Sequence, residues 1–263
     1  GITIPVGKDS LSMRSTWQDG DEAKSVTSPL SLIITGFSPV ANVTKTLTPQ
    51  PRTDIESVLI FVDLADGKTR LGGSALAQAY NQIGGETPDA DPKILKNFFN
   101  VLRRLKQTDK ILAYHDRSDG GLLTTLCEMM FAGRCGIAAY VGDLPGNDPF
   151  EKIFNEELGV VLQVRDEDWR EVTNVLKKEL GNNVYHFGTV NNSQILNILG
   201  EEHNLVYSTR AQLEQWWAET SYRIQKLRDN PACADEEYAA ILDGDDPGLK
   251  PRVASRESRV ADW

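Results

Sequence analysis

Between residues 55 and 205, short apolar runs alternate with stretches whose apolar residues recur at helical spacing, and this alternation narrows the possible folds more than any other feature. Val58–Leu64 (VLIFVDL) is a continuous apolar strand, and Ile111–His115, Ile137–Val141, Gly159–Val164, Val184–Val190 and Ile195–Leu199 read as further strands. Ile94, Leu95, Phe98, Phe99, Leu102 and Leu105 share a helical face. Leu122, Leu123, Leu126, Met129 and Met130 share another that stops at Gly133. A third face, Trp169, Val172, Val175, Leu176 and Leu180, ends at Gly181, and a short helix over Ser74–Ile83 follows the Gly72-Gly73 pair with Ser74 near its cap. Mixed strand and helix at this length predicts an α/β or α+β layered domain.

Around that block the pattern changes. Residues 1–50 look β-rich, with Ser31–Phe37 (SLIITGF) read as a buried strand between Pro29 and Pro39. Thr44–Thr53 is polar and carries prolines, which reads as a connection between domains. A last helix is expected over 209–228, with Leu213, Trp216, Trp217, Thr220, Ile224 and Leu227 on one stripe and Asn230-Pro231 as its stop; from Asp243 the chain reads as extended. Lys and Arg number 28 against 38 Asp and Glu, a net charge of −10, which argues against non-specific binding to nucleic acid or to anionic membrane. No apolar run approaches the ~18 residues that span a bilayer. Cys127, Cys135 and Cys233 form no CxxC, so neither a zinc ribbon nor a disulfide scaffold is indicated, and a reducing cytoplasm is the expected location. The sequence starts at Gly1, with Met13 its first Met and no signal peptide, and is read as cut from within a longer protein.

Three segments carry candidate chemistry. Gly7-Lys8-Asp9-Ser10 offers close backbone approach, a cation and a hydroxyl, which suits a phosphate or carboxylate; the rival reading is a turn capped by Asp9 or Ser10. It is not a P-loop, since the glycine spacing is wrong and Asp9 stands where Ser or Thr would hold magnesium. His115-Asp116-Arg117-Ser118-Asp119-Gly120-Gly121 lies between a strand and a helix, where backbone N–H groups and a helix N-terminus face a ligand. Asp116 and Asp119 would suit Mg²⁺ and Arg117 would neutralise phosphate; the rival reading is that Ser118 or Asp119 caps the helix. In Phe154-Asn155-Glu156-Glu157-Leu158-Gly159 the two carboxylates precede a strand, where acids are usually solvated. His115, Asp116 and Ser118 are not read as a catalytic triad, because adjacency in sequence does not supply the geometry, and no GxSxG elbow is present.

The segments IPVGKDSLSM, TSPLSLIITGF, LGGSALAQ, HDRSDGGLL, FNEELG and WWAETSYRIQKLRDNP, in this order, resemble the large single-chain phosphoribosylformylglycinamidine synthases across essentially the whole sequence. The resemblance implies an aminoimidazole ribonucleotide synthetase-like fold, with residues 1–50 a partial N-terminal subdomain and 55–205 the C-terminal α/β subdomain of the second synthetase half. Residues 206–263 would lead toward a glutaminase. It implies an ATP-dependent ligase of purine synthesis that converts formylglycinamide ribonucleotide, glutamine and ATP to formylglycinamidine ribonucleotide, glutamate, ADP and phosphate. The remainder of the same polypeptide, a first synthetase half and the glutaminase, would be its partners, and this piece alone would be inactive. Asp116 matches a ligand of an auxiliary Mg²⁺ and Ser118 a contact to the ADP beside it. Gly7, Lys8 and Ser10 match a loop that contacts nucleotide, metal and substrate in shorter relatives; Lys8 replaces an Asn metal ligand there, so a phosphate or carboxylate contact is expected instead. Glu156 and Glu157 match a segment lining the site. The alternative is a non-catalytic scaffold module that holds its nucleotide only to fix packing.

Overall fold

The structure is a computed structural model that describes residues 7, 13–28, 34–40 and 42–244. The chain divides into two units, Gly1–Thr46 and Leu47–Trp263. In the first, strands β1 (Arg14–Asp19) and β2 (Glu22–Thr27) form an antiparallel hairpin closed by Gly20 and Asp21. Gly20 has φ 62°, the left-handed backbone that a two-residue hairpin loop demands. The strand expected over Ser31–Phe37 begins outside the described residues. Its described part, from Ile34, is irregular, with Ile34 and Phe37 exposed.

The second unit is built on a seven-stranded sheet. In chain order its strands are β3 (Ser57–Asp63), β4 (Ile111–Arg117), β5 (Gly136–Tyr140), β6 (Gly159–Arg165), β7 (Val184–Asn191), β8 (Ile195–Leu199) and β9 (Asn204–Thr209). Across the sheet they run β4-β6-β3-β7-β5-β8-β9, antiparallel except for the parallel pair β5–β8. Strand side chains alternate between faces, and β3 shows what its apolar run is for. Val58, Ile60 and Val62 pack on one face with helices α2 (Pro92–Gln107) and α5 (Trp169–Leu180), through Phe98, Val101, Leu105, Val172 and Leu176. Leu59 and Phe61 pack on the other with helices α3 (Gly121–Gly133) and α4 (Pro149–Phe154), through Leu122, Leu126, Met129, Met130 and Ile153. The expected layered α/β class is the class observed.

Local signals set most helix ends. Asp91 accepts from the N–H groups of Lys93 and Ile94, with Pro92 in the first turn of α2, and Gly181 closes α5 at φ 76°. The helix expected over Ser74–Ile83 is shorter, α1 (Ala75–Ala79), because Asn81 and Gly84 take positive φ and turn the chain back so that Gly72 and Gly73 donate to the carbonyls of Glu86 and Ile83.

Two elements lie beyond the expected pattern. β9 adds an edge strand whose residues straddle the expected boundary at 205. Asn230-Pro231, read as a stop, both ends α6 (Arg210–Arg228) and starts α7 (Pro231–Ala240), with Asn230 as the cap and Pro231 in the first turn. The apolar stripe of α6 is covered only near its start: Leu213 joins the core, whereas Trp216, Trp217, Ile224 and Leu227 are exposed. No helix among the described residues is long and apolar enough to cross a membrane.

Candidate functional site

β3 and β4 flank β6, and Asp63 and Arg117 both lie opposite Gly159, so the loops after β3 and β4 and the loop before β6 gather at one end of the sheet. Charge holds that end together. The Asp63 carboxylate accepts from the N–H groups of Ala65 (3.2 Å) and Gly67 (2.6 Å) and from Arg117 Nη2 (3.4 Å). Arg117 Nε donates to the Glu157 carbonyl at 2.6 Å, and the guanidinium lies 4.9 Å from the centre of the Phe61 ring. Both side chains are buried, 3% and 2% exposed for Arg117 and Asp63. Burial disfavours each charge more than the pairing favours it: Arg117 is pushed down to about 10, and Asp63 is held above the ordinary carboxylate range.

A second chain of charges runs beside the first. The Glu157 carboxylate, fully buried, accepts Arg70 Nε at 2.6 Å, Arg70 Nη2 at 3.0 Å and the Arg70 backbone N–H at 3.2 Å. Arg70 Nη2 also donates to Asp89 at 2.7 Å, and that guanidinium keeps the Asp89 carboxyl below its usual range. An open groove of ≈ 620 Å³ lies along the 67–71 loop, with Lys68 and Arg70 on its wall.

These contacts sort the sequence-predicted residues into two groups. Asp116 and Ser118 stand at the exposed end of β4, together with Asp119. The Asp116 carboxylate is 63% exposed and 3.7 Å from His115 Nδ1, while His115 Nε2 lies 2.8 Å from Glu128. Arg117 and Glu157, expected on phosphate and in lining a site, face inward. Strand alternation turns the Arg117 side chain to the Phe61 face, where Asp63 and two carbonyls engage it, and Arg70 saturates the Glu157 carboxylate.

Glu156 is half-exposed, and its Oε1 accepts the N–H groups of Gly120 and Ala75, each at 2.8 Å. The capping alternative for Ser118 and Asp119 is also corrected: Gly120 is the N-cap of α3, at φ 81°, and no side-chain hydrogen bond caps it from its own position. Gly7 is exposed in irregular backbone of the first unit, and Lys8 and Ser10 lie outside the described residues.

The glycines at this end serve packing. A Cβ on Gly121, which has φ 69°, would come within 2.7 Å of the Asn155 carbonyl oxygen. Magnesium finds no complete site here. Among the described residues no group of three or more His, Cys, Asp or Glu is placed to hold a metal ion, and Asp116 offers one carboxylate to an ion that takes about six oxygen ligands. Asp63 and Arg70 carried no sequence signal as site residues, since their partners lie in distant segments of the chain.

Comparison with known families and structures follows this division of the chain. The family model described as "AIR synthase related protein, C-terminal domain" matches residues 56–200, and that described as "FGAR-AT PurM_N-like domain" matches residues 1–39. Among solved structures, Thermotoga maritima PurL complexed with FGAR is 12% identical with a TM-score of 0.55, covering 73% of this chain and 30% of that one. The same organism's PurL complexed with ATP (TM-score 0.51) and its phosphoribosylformylglycinamidine synthase II (TM-score 0.51) are each also 12% identical over 73% of this chain and 28% of theirs. The chain spans less than a third of the length of these structures, and at this identity the likeness is one of fold.

Proposed function

This chain belongs to the AIR synthase related family through the C-terminal domain at residues 56–200, and on that premise we propose that it forms one wall of the nucleotide site of a phosphoribosylformylglycinamidine synthase. The complete enzyme would use ATP and glutamine to convert formylglycinamide ribonucleotide to the amidine, with the rest of the synthetase and a glutaminase as its partners. The match of residues 1–39 to an FGAR-AT domain model supports this substrate class. So do the fold neighbours, Thermotoga maritima PurL solved with FGAR and with ATP.

The observation that carries the reading is the split at the end of β4. Arg117 is locked inward, while Asp116 and Ser118 project outward from a loop that needs neither of them for its helix cap. In a phosphoryl-transfer site the protein's work is positioning and charge balance. Here Ser118 offers a hydroxyl donor, and Asp116 offers an acceptor whose backbone is fixed by the β4–β6 ladder.

The test is Asp116→Asn and Ser118→Ala in the complete synthase, with bound ADP released by denaturation and quantified against folded protein. Each variant is expected to lose at least about tenfold in retained or titrated ADP, the effect of removing one charge-assisted or well-placed hydrogen bond. Undiminished ADP in both variants overturns the reading. If ADP falls while turnover per folded molecule holds, the site is a scaffold; if both fall, it serves the reaction directly.

A further inference from the structure

We propose that Glu156 is the positioning residue of the nucleotide loop: its carboxylate takes the backbone N–H of the α3 N-cap residue and locks the loop before α1 to the loop before α3. The functional meaning rests on the nucleotide reading above, but the geometry does not.

Helix N-termini leave backbone N–H groups without partners, and a side chain at the N-cap normally accepts one of them. At α3 the N-cap is Gly120, which has no side chain to give, and the Gly121 N–H turns back to the Ser118 carbonyl at 2.9 Å. The N–H of the N-cap residue itself is engaged from 36 positions away, as Glu156 Oε1 takes the Gly120 N–H at 2.8 Å, the bond that a glutamate three residues into a helix makes in a capping box. The same oxygen takes the Ala75 N–H at 2.8 Å, from a residue 81 positions away on the other side of the site. One atom therefore fixes the separation of two loops that share no direct hydrogen bond among the described residues. A carboxylate suits the place, because the N-terminal end of α3 carries partial positive charge.

Glu156 is itself held firmly. Its neighbour Glu157 points the other way into Arg70, and the Glu157 carbonyl receives Arg117. Asn155 Oδ1 accepts the Glu157 N–H at 3.3 Å while its Nδ2 donates to the Glu151 carbonyl. Gly121 packs against the Asn155 backbone so closely that no Cβ fits between them. With the 155–158 segment anchored on both sides, Glu156 sets where Gly120 sits and so where Ser118 and Asp116 present their side chains. The arrangement also means that the Gly120 N–H is already engaged by the protein's own anion.

The experiment follows amide hydrogen exchange at Ala75 and Gly120 in the full 263-residue chain, with amides of β3 as the internal reference. Glu156→Ala is expected to raise exchange at both amides together by about tenfold or more, the effect of losing a hydrogen bond to a charged acceptor. Glu156→Gln, which keeps an oxygen in place, is expected to restore most of the protection at both. Should Glu156→Ala not fold, Glu156→Asp, which withdraws the oxygen by one methylene, is expected to give the same coupled rise. Unchanged exchange at either amide, or no recovery with glutamine, overturns the proposal. ADP retention measured on Glu156→Ala in the complete synthase separates the two claims. A coupled rise in exchange with ADP retention unchanged leaves the bridge standing and removes its link to nucleotide.

Discussion

At the loop end of the sheet, Arg117 and Asp63 meet with side chains 3% and 2% exposed, whereas along the α6–α7 hairpin Arg223, Lys226 and Arg228 pair with Glu219, Asp235 and Asp229 in open solvent. The hairpin pairs have distances as short as those at the sheet end, yet they do different work. In solvent, a pair gains little over its hydrated parts and is screened by salt. In the interior each charge has lost its water, so neither partner can be removed without stranding the other. Distance alone says nothing about which pairs organise the molecule; burial does. The buried pairs join segments far apart in sequence, such as Asp63 to Arg117 and Arg70 to Glu157, while the hairpin pairs link near neighbours in the chain.

The largest effect expected from breaking this contrast is at Arg117. Arg117→Leu strands the Asp63 carboxylate and is expected to lower unfolding free energy by about 3–5 kcal/mol near neutral pH, read from the denaturant midpoint. Burial holds Asp63 above its ordinary 3.8, so the folded state binds that proton more tightly than the unfolded chain does. This group's contribution is complete below that ordinary value and is lost as pH rises through the raised one. The Arg117→Leu deficit should accordingly shrink as pH falls from neutral through the raised Asp63 value toward the ordinary one. A deficit that stays constant over this range would show that Asp63 does not carry it.

Next in size are two glycines. Gly121→Ala adds a methyl group against the Asn155 carbonyl at φ 69° and is expected to cost about 2–4 kcal/mol. Gly181→Ala, at φ 76° and ψ −156° with open space around it, is expected to cost about 1–3 kcal/mol, all of it backbone strain. Equal losses would mean that the close packing of the DGG turn against the loop before β6 contributes nothing. Smallest of all, Arg223→Ala and Lys226→Ala are expected to leave the denaturant midpoint unchanged within error. A clear drop from either would overturn the contrast drawn here between exposed and buried pairs.

The strands and helices of the second unit were legible because their residues obey periods of two or 3.6 over several turns. What the sequence did not show were relations across distance. VLIFVDL reads as a buried strand, but nothing local says that β6 and β7 will be its neighbours. β9, with its exposed Tyr207, has too little apolar alternation to stand out from a loop. α7 was signalled after all, since Asn before Pro is both a helix stop and a cap followed by a first-turn proline. The inward turn of Arg117 has a simple cause. Ending β4 at His115 concealed that Ala113 and Arg117 share a face, and that parity alone directs the guanidinium into the interior. Asp116, on the opposite parity, is exposed where the sequence placed it. Glu156 entered only through the resemblance of FNEELG, and its partners are backbone amides that no side-chain pattern could announce.

The central position of β3 has a consequence for how the domain is made. It is the first strand of the sheet to be synthesised, yet both of its neighbours, paired through Ile60 with Leu162 and with His186, come late in the chain. At ordinary rates of translation the ribosome needs on the order of ten seconds to reach them. Over that interval helices α2 and α3 can cover its faces but neither edge has a strand of its own to pair with, which makes closure of the sheet's centre a late, non-local step.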